Sequence, residues 1–339
     1  MVNQVSIAVI GVGRIGRLHA ENLAHRIPGA DLVAVSDVNP EALANCAADL
    51  GVTAVADHRA IMEMADVHAV AICSSTDTHA QIIAQAAAAG KHVFCEKPIA
   101  LDLGEIDRAL AAVAQARVKL QLGFNRRFDP NFRRLRDLVA EGKVGQPHQL
   151  RITSRDPDPP PLDYLKRSGG IFLDMTIHDF DLARYLIGDE VQEVFAAAAV
   201  MLDPSIAEAG DVDTATVFLR FRTGATGVIE NSRRAIYGYD QRVEVFGSAG
   251  LLAVPNIAPD SVMLSAADGI HAPLPHPFFL ERYAESYLAE MKEFVSSLLT
   301  DSPPPVTGRD GRIALLMGLA ARKSHQENRP VKLAEIAPI

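Results

Sequence analysis

The chain has 339 residues, 48% hydrophobic and 22% charged, a globular composition that excludes a disordered or collagen-like chain and suits two domains. A formal net charge of −9 excludes nucleic acid, which needs clustered Lys and Arg, and 6% aromatics with no Trp leave no base-stacking platform. No apolar run approaches the roughly 18 residues of a membrane span. The N-terminal run MVNQVSIAVIGVG carries no basic leader, so the expectation is a cytoplasmic protein with no membrane partner. Cys46, Cys73 and Cys95 are scattered, without CxxC or Cys/His pairing, so neither a disulfide framework nor a metal site is predicted.

In chain order, strand-like and helix-like segments first alternate, the pattern of a parallel sheet covered by helices. Strands are predicted at 5–10, 32–36, 69–73, 92–95 and 119–123. Helices are predicted at 14–25, 40–50, 78–89 and 103–114, the third closed by Gly90. These elements fill the chain to Gly123, where the domain boundary is placed: residues 1–123, then 124–339. Beyond it come a helix at 131–141, a strand at 148–154, a proline-rich run at 157–161 that is neither helix nor central strand, and a helix at 172–186. Strands at 194–201, 214–221, 225–232 and 241–246 read as an antiparallel meander, followed by helices at 282–299 and 309–326.

Three glycines, Gly11, Gly13 and Gly16, form GVGRIG directly after the first strand and open the first helix. The first permits a tight turn, the second lets backbone approach a pyrophosphate, and the third lets helix pack on strand. The phosphates then sit on the helix N-terminus, beside Arg14 and Ile15, where free N–H groups hold negative charge even in an acidic protein. Asp37 ends the second strand about 20 residues later, where a carboxylate accepts from an adenosine ribose and repels a 2′-phosphate, favouring NAD over NADP. The polar run Ser74, Ser75, Thr76, Asp77, Thr78 and His79 follows the third strand. It lies at the carboxyl end of a parallel strand, where ligands bind, although Asp77 or Thr78 also serves there as a helix cap. Glu96, Lys97 and Pro98 follow the fourth, placing a lysine where it can stabilise charge developing on a substrate oxygen.

The segment GGIFLDMTIHDFDLARYL sets Asp174, His178 and Asp181 at i, i+4 and i+7, one stripe of a helix, with Asp179 pointing elsewhere. A histidine flanked by carboxylates suits a general base for a hydroxyl proton; a salt-bridged structural histidine is the alternative. A metal site is the weaker possibility, because no further His or Cys completes a ligand set.

With these motifs in this order, the sequence resembles the Gfo/Idh/MocA family of NAD(P)-dependent oxidoreductases. GVGRIG, SSTDTH, EKP and GGIFLDMTIHDFD carry the resemblance across both halves of the chain. It implies a Rossmann doubly wound domain, a C-terminal α/β domain with a large open, mostly antiparallel sheet, and tetramers formed through that sheet. It also implies NAD as cofactor, bound through Gly11, Gly13, Arg14, Ile15, Gly16, Asp37, Ser74, Ser75, Thr76, His79, Glu96 and Lys97. Lys97, Asp174 and His178 match the family's catalytic positions. His178 takes the hydroxyl proton, Asp174 supports it, and Lys97 bonds the reacting oxygen. Asn125, Arg127, Asp181, Tyr237 and Tyr239 are candidates for the remaining substrate hydroxyls, each equally placed for a structural role. SRDPDPPP and YGYD narrow the implied substrate to a cyclic polyol: myo-inositol, oxidised to 2-keto-myo-inositol. The alternatives are scyllo-inositol or an aldose such as glucose, and, in another class, a non-catalytic nucleotide-sensing protein.

Overall fold

A run of β-branched and small apolar residues forms β1 (Val5–Ile10), from which the parallel sheet grows in both directions. In the computed structural model, which describes residues 4–338, the chain continues through α1 (Arg14–His25), β2 (Ala30–Ser36), α2 (Pro40–Leu50), β3 (Thr53–Val55), α3 (His58–Glu63) and β4 (Ala69–Ile72). Then come α4 (Thr76–Ala88), β5 (His92–Glu96), α5 (Leu103–Ala116), β6 (Leu120–Gly123) and a 3-10 turn, Asn125–Phe128. The strands are parallel in the order β3-β2-β1-β4-β5-β6, the doubly wound arrangement the resemblance implies. Strand order reverses between β1 and β4, which opens a crevice at their carboxyl ends.

The later elements are α6 (Pro130–Ala140), β7 (Pro147–Arg155), α7 (Leu162–Ser168), α8 (Ile171–Asp174), α9 (Thr176–Ile187), β8 (Val191–Ala199), α10 (Pro204–Glu208), β9 (Thr214–Phe221), β10 (Thr226–Ser232), β11 (Asp240–Gly247) and β12 (Gly250–Val254). A small hairpin, β13 (Leu264–Ala266) and β14 (Gly269–His271), precedes α11 (Phe279–Arg282), α12 (Ala284–Leu299), α13 (Gly308–Glu327) and β15 (Val331–Lys332). The second sheet runs β12-β11-β7-β10-β9-β8-β15. The predicted meander holds for β8, β9 and β10, but β11 does not pair with β10. Strand β7 lies between them, parallel to β10 and antiparallel to β11, because the earlier strand supplies the apolar Leu150 and Ile152 to the same buried face.

Contacts divide the chain into two compact units: residues up to Phe128 with Glu285–Arg312, and Asp129–Ala284 with residues from Ile313 onward. The boundary expected at Gly123 therefore differs in two ways. The 3-10 turn stays with the parallel sheet, and a late segment returns to it. The return has an apolar cause: Met291, Phe294 and Val295 of α12 are buried in one cluster with Val5, Ile7, Val9, Leu23 and Phe94. In the second unit, α9 packs on β7 and β10, and its Ile177, Phe180 and Ala183 are fully buried. The single helix predicted at 172–186 is two pieces meeting at Met175, whose backbone stays right-handed helical.

Candidate active site

The glycine turn is built by close approach. Gly11 has φ +89°, and a Cβ there would lie 2.5 Å from the Ser74 amide, so the turn after β1 rests against the loop after β4. A Cβ on Gly16 would lie 1.8 Å from the Gly11 carbonyl oxygen, whereas one on Gly13 would meet nothing within 4 Å. Gly13 caps α1 without a side-chain bond, and the first turn holds no acidic residue. Arg14 there is exposed and Ile15 half-buried. Asp37 folds back on the turn: Oδ2 accepts from the Val12 amide at 2.7 Å and Oδ1 from Asn39 at 2.8 Å. Each oxygen keeps a second lone pair for a ribose hydroxyl. An open, uncapped helix N-terminus with a carboxylate tied beside it fits a dinucleotide.

After β4, the Ser74 and Thr78 hydroxyls are bonded at 2.7 Å, and Thr78 Oγ1 donates to the Ser75 carbonyl. Ser75 caps α4 without a side-chain bond and is exposed; Thr76 is half-buried. His79 lies between the loops after β4 and β5. It is buried, with its ring nitrogens 2.8 Å from the Pro98 carbonyl and 3.0 Å from the Ser74 carbonyl, so its N–H donates to one of these two loops. Glu96 also turns inward, its Oε1 2.8 Å from His19 Nε2. Lys97, half-buried, extends from the end of β5.

In the 3-10 turn Asn125 is buried with its amide nitrogen unpaired. Arg127 is committed to Asp310 at 2.9 Å. Burial raises the Asp310 carboxyl, but the Arg127 charge and hydrogen bonds from Thr307 outweigh it and hold it at about 2.

In the second unit, Asp174 ends α8 and His178 lies in the first turn of α9. Tyr164 donates to Asp174 Oδ1 at 2.9 Å, and the buried Arg233 places Nη1 3.6 Å from Asp174 Oδ2 and Nη2 3.1 Å from Asp211 Oδ2. Asp211 in turn accepts from the Ile171 amide at 2.8 Å, anchoring the start of α8. Tyr164 keeps 46% exposure, yet desolvation and then the Asp174 charge push it above the usual tyrosine range. Asp174 is thus a carboxylate fixed by a tyrosine and a buried cation. Thr176 and Asp179 face the sheet, joined through Asn231 at 2.6 and 2.8 Å, so Asp179 points away as predicted. Asp181 is buried in α9. Tyr237 donates to Asp240 at 2.6 Å and accepts from Arg155 at 2.9 Å. Tyr239 is buried edge-on to Tyr283 at 5.9 Å. Sequence reasoning missed Tyr164, Asp211 and Arg233. Only Tyr164, in the same stretch as the DMTIH segment, had a local signal, since nothing in the sequence marks an arginine for burial.

Residues 5–124 match the model described as an oxidoreductase family, NAD-binding Rossmann fold, and 132–253 match the GFO/IDH/MocA C-terminal domain. The chain is 54% identical to a myo-inositol 2-dehydrogenase of Thermotoga maritima, covering 97% of this chain and 99% of the relative. It is 45% identical to an inositol 2-dehydrogenase of Rhizobium meliloti, again over 97% and 99%. The scyllo-inositol dehydrogenase structure from Lactobacillus casei, with bound NAD(H) and scyllo-inositol, superposes with a TM-score of 0.92 at 34% identity, covering 98% of this chain and 99% of that one. The chain belongs to the Gfo/Idh/MocA family of oxidoreductases, and its first unit carries that family's NAD-binding domain.

Proposed function

We propose that this protein oxidises myo-inositol to 2-keto-myo-inositol with NAD. The observation that carries the substrate is the 54% identity, over 97% of the chain, to a relative named for that activity. The glycine turn, the α1 N-terminus and Asp37 hold the cofactor, which supplies the hydride acceptor when bound. His178 takes the hydroxyl proton. Asp174, fixed by Tyr164 and Arg233, supports the charge that His178 gains, and Lys97 donates a hydrogen bond to the reacting oxygen. Asn125, whose buried amide has donors to spare, Asp181 and Tyr239 are assigned to the other hydroxyls. Arg127 and Tyr237, already committed to Asp310 and Asp240, act there through those partners.

The protein is assigned to the cytoplasm, in keeping with three unpaired cysteines. It is assigned a tetramer built on the second sheet. Cross-strand register there puts Phe195 beside Phe218, and half-exposed Phe246 beside Leu251, on one face that a partner would cover. Light scattering reads the assembly directly. Initial rates with a panel of inositols and aldoses, each with NAD and NADP, test the activity. The expectation is fastest turnover of myo-inositol with NAD. Preference for scyllo-inositol or glucose would reassign the substrate, and no turnover of any would leave a nucleotide-sensing protein.

A further inference from the structure

The first unit holds a buried polar cluster that the reaction as described leaves unused. His19 of α1, Glu96 of β5 and Glu290 of α12 bring one ring nitrogen and two carboxylate oxygens within 4.8 Å of one another. His19 and Glu290 are fully buried, while the Glu96 side chain keeps 14% exposure. His19 Nε2 lies 2.8 Å from Glu96 Oε1 and 3.8 Å from Glu290 Oε1. Phe94 and Tyr287 stand edge-on to the imidazole, at 5.1 and 5.8 Å between ring centres, and close it off. Among the described residues, neither Glu290 oxygen has a hydrogen-bond partner, and neither has His19 Nδ1.

These facts restrict where protons and charges sit. With no acceptor at Nδ1, the neutral imidazole carries its proton on Nε2 and donates it to Glu96. That donation and partial exposure make Glu96 the place for a negative charge. Glu290 has neither advantage. Ionised, it would be a dry carboxylate with no donor, close to a second negative charge, the arrangement in which one of two carboxyls stays protonated. A cation in the cluster is the poorer explanation, because a metal-bound imidazole has its other nitrogen held by an acceptor, and His19 Nδ1 has none.

We propose that Glu290 is a positioning residue that keeps a proton in the native protein, so that the Glu96–Glu290 pair carries one negative charge, placed on Glu96 and held by His19, at the end of β5 from which Lys97 extends. The burial of Glu290, and secondarily the Glu96 charge, push its carboxyl well above the usual range. Among the described residues, ionisable groups that also face the cluster are Tyr287 of α12 and the thiols of Cys73 after β4 and Cys95 on β5, both raised by burial and therefore neutral. The part of the proposal that concerns Lys97 rests on the function proposed above; the protonation of Glu290 does not.

Linkage provides the test. In the unfolded chain Glu290 ionises in the ordinary carboxylate range, so between that value and its raised native one folding takes up a proton, and stability falls as pH rises. Glu290→Gln, a neutral isostere, removes this dependence. In thermal unfolding of the full chain saturated with NAD, the Tm of Glu290→Gln should gain on the parent progressively from about pH 5 to about pH 8. Parallel curves overturn the proposal. A second measurement needs no variant: infrared spectra of the parent carrying 13C-labelled glutamate should show the carbonyl band of an un-ionised glutamic acid at neutral pH, and absence of that band overturns the proposal. For the Lys97 part, the parent should lose more rate at alkaline pH than Glu290→Gln, as the second charge forms beside Glu96. Equal losses overturn that part. If no polyol is turned over, the functional reading fails while the unfolding and infrared results still decide the proton.

Discussion

Gly16 and Gly13 sit three residues apart in one motif, yet alanine should act on them in opposite ways. At Gly16 the added methyl lies 1.8 Å from the Gly11 carbonyl oxygen and 3.0 Å from Cys73 Cβ. Side-chain carbons essentially never come within 3.0 Å, so the turn must open by about 1.2 Å, and both partners are backbone or core. Replacing a helical glycine with alanine gains about 1 kcal/mol in propensity. Overpacking against backbone costs about 3 kcal/mol, the upper end of its range. The clash wins by about 2 kcal/mol, and the Tm should fall by about 4–8 °C with or without NAD. At Gly13 the same methyl meets nothing within 4 Å. The Tm of Gly13→Ala should stay within about 2 °C of the parent, because the N-cap change costs about 0.5 kcal/mol. NAD affinity should nevertheless drop at least about tenfold, since the methyl stands where a phosphate must approach the amides. Calorimetric unfolding and NAD titration of both variants read these quantities. A Gly16→Ala protein as stable as the parent, or a Gly13→Ala protein with unchanged NAD affinity, would refute the close-approach reasoning.

Other substitutions probe the site separately. Arg233→Met strips the buried counter-ion from Asp174 and Asp211 and should lower stability by about 3–5 kcal/mol in denaturant unfolding, with partial recovery when Asp211→Asn is added. Asp37→Ala should weaken NAD and relax rejection of NADP in binding titrations; an unchanged NAD/NADP ratio would remove Asp37 from the ribose. The Asp310 carboxyl is depressed from 3.8 to about 2, so its contribution is present above about pH 4 and lost as pH falls towards 2. Asp310→Asn should therefore cost about 2 kcal/mol at pH 7 in unfolding experiments, a difference that shrinks on acidification. His178→Gln should lower kcat by about 10²–10⁴-fold with folding intact by circular dichroism, and a parental rate would mean another base acts.

The parallel sheet was legible because its strands are buried on both faces and read as continuous apolar runs. β1 and α1 fall on their predicted residues, and β4 and β5 within one residue of them. β3 was not, because Thr53–Val55 is a three-residue, largely exposed edge strand with no apolar pattern to find. Neither the place of β7 between β10 and β11 nor the return of α12 to the first sheet follows from local periodicity. Both are decided by which distant face completes a core. The site divides in the same way. Gly11, Gly16 and Asp37 could be found by spacing because backbone geometry demands them at those offsets. His79 and Glu96 sat in the right motifs, but buried partners, the Pro98 carbonyl and His19, turn them inward. Arg233 reaches Asp174 from 59 residues away in the chain, a distance across which a single sequence carries no pairing signal, whereas Tyr164 lies only 10 residues before it.

Isotopic labelling tests hydride transfer from a polyol carbon to NAD most directly. With myo-inositol deuterated at C2 and NAD, the deuterium should appear in the reduced cofactor as 2-keto-myo-inositol accumulates. Reduced cofactor without deuterium, or no reduction at all, would contradict it.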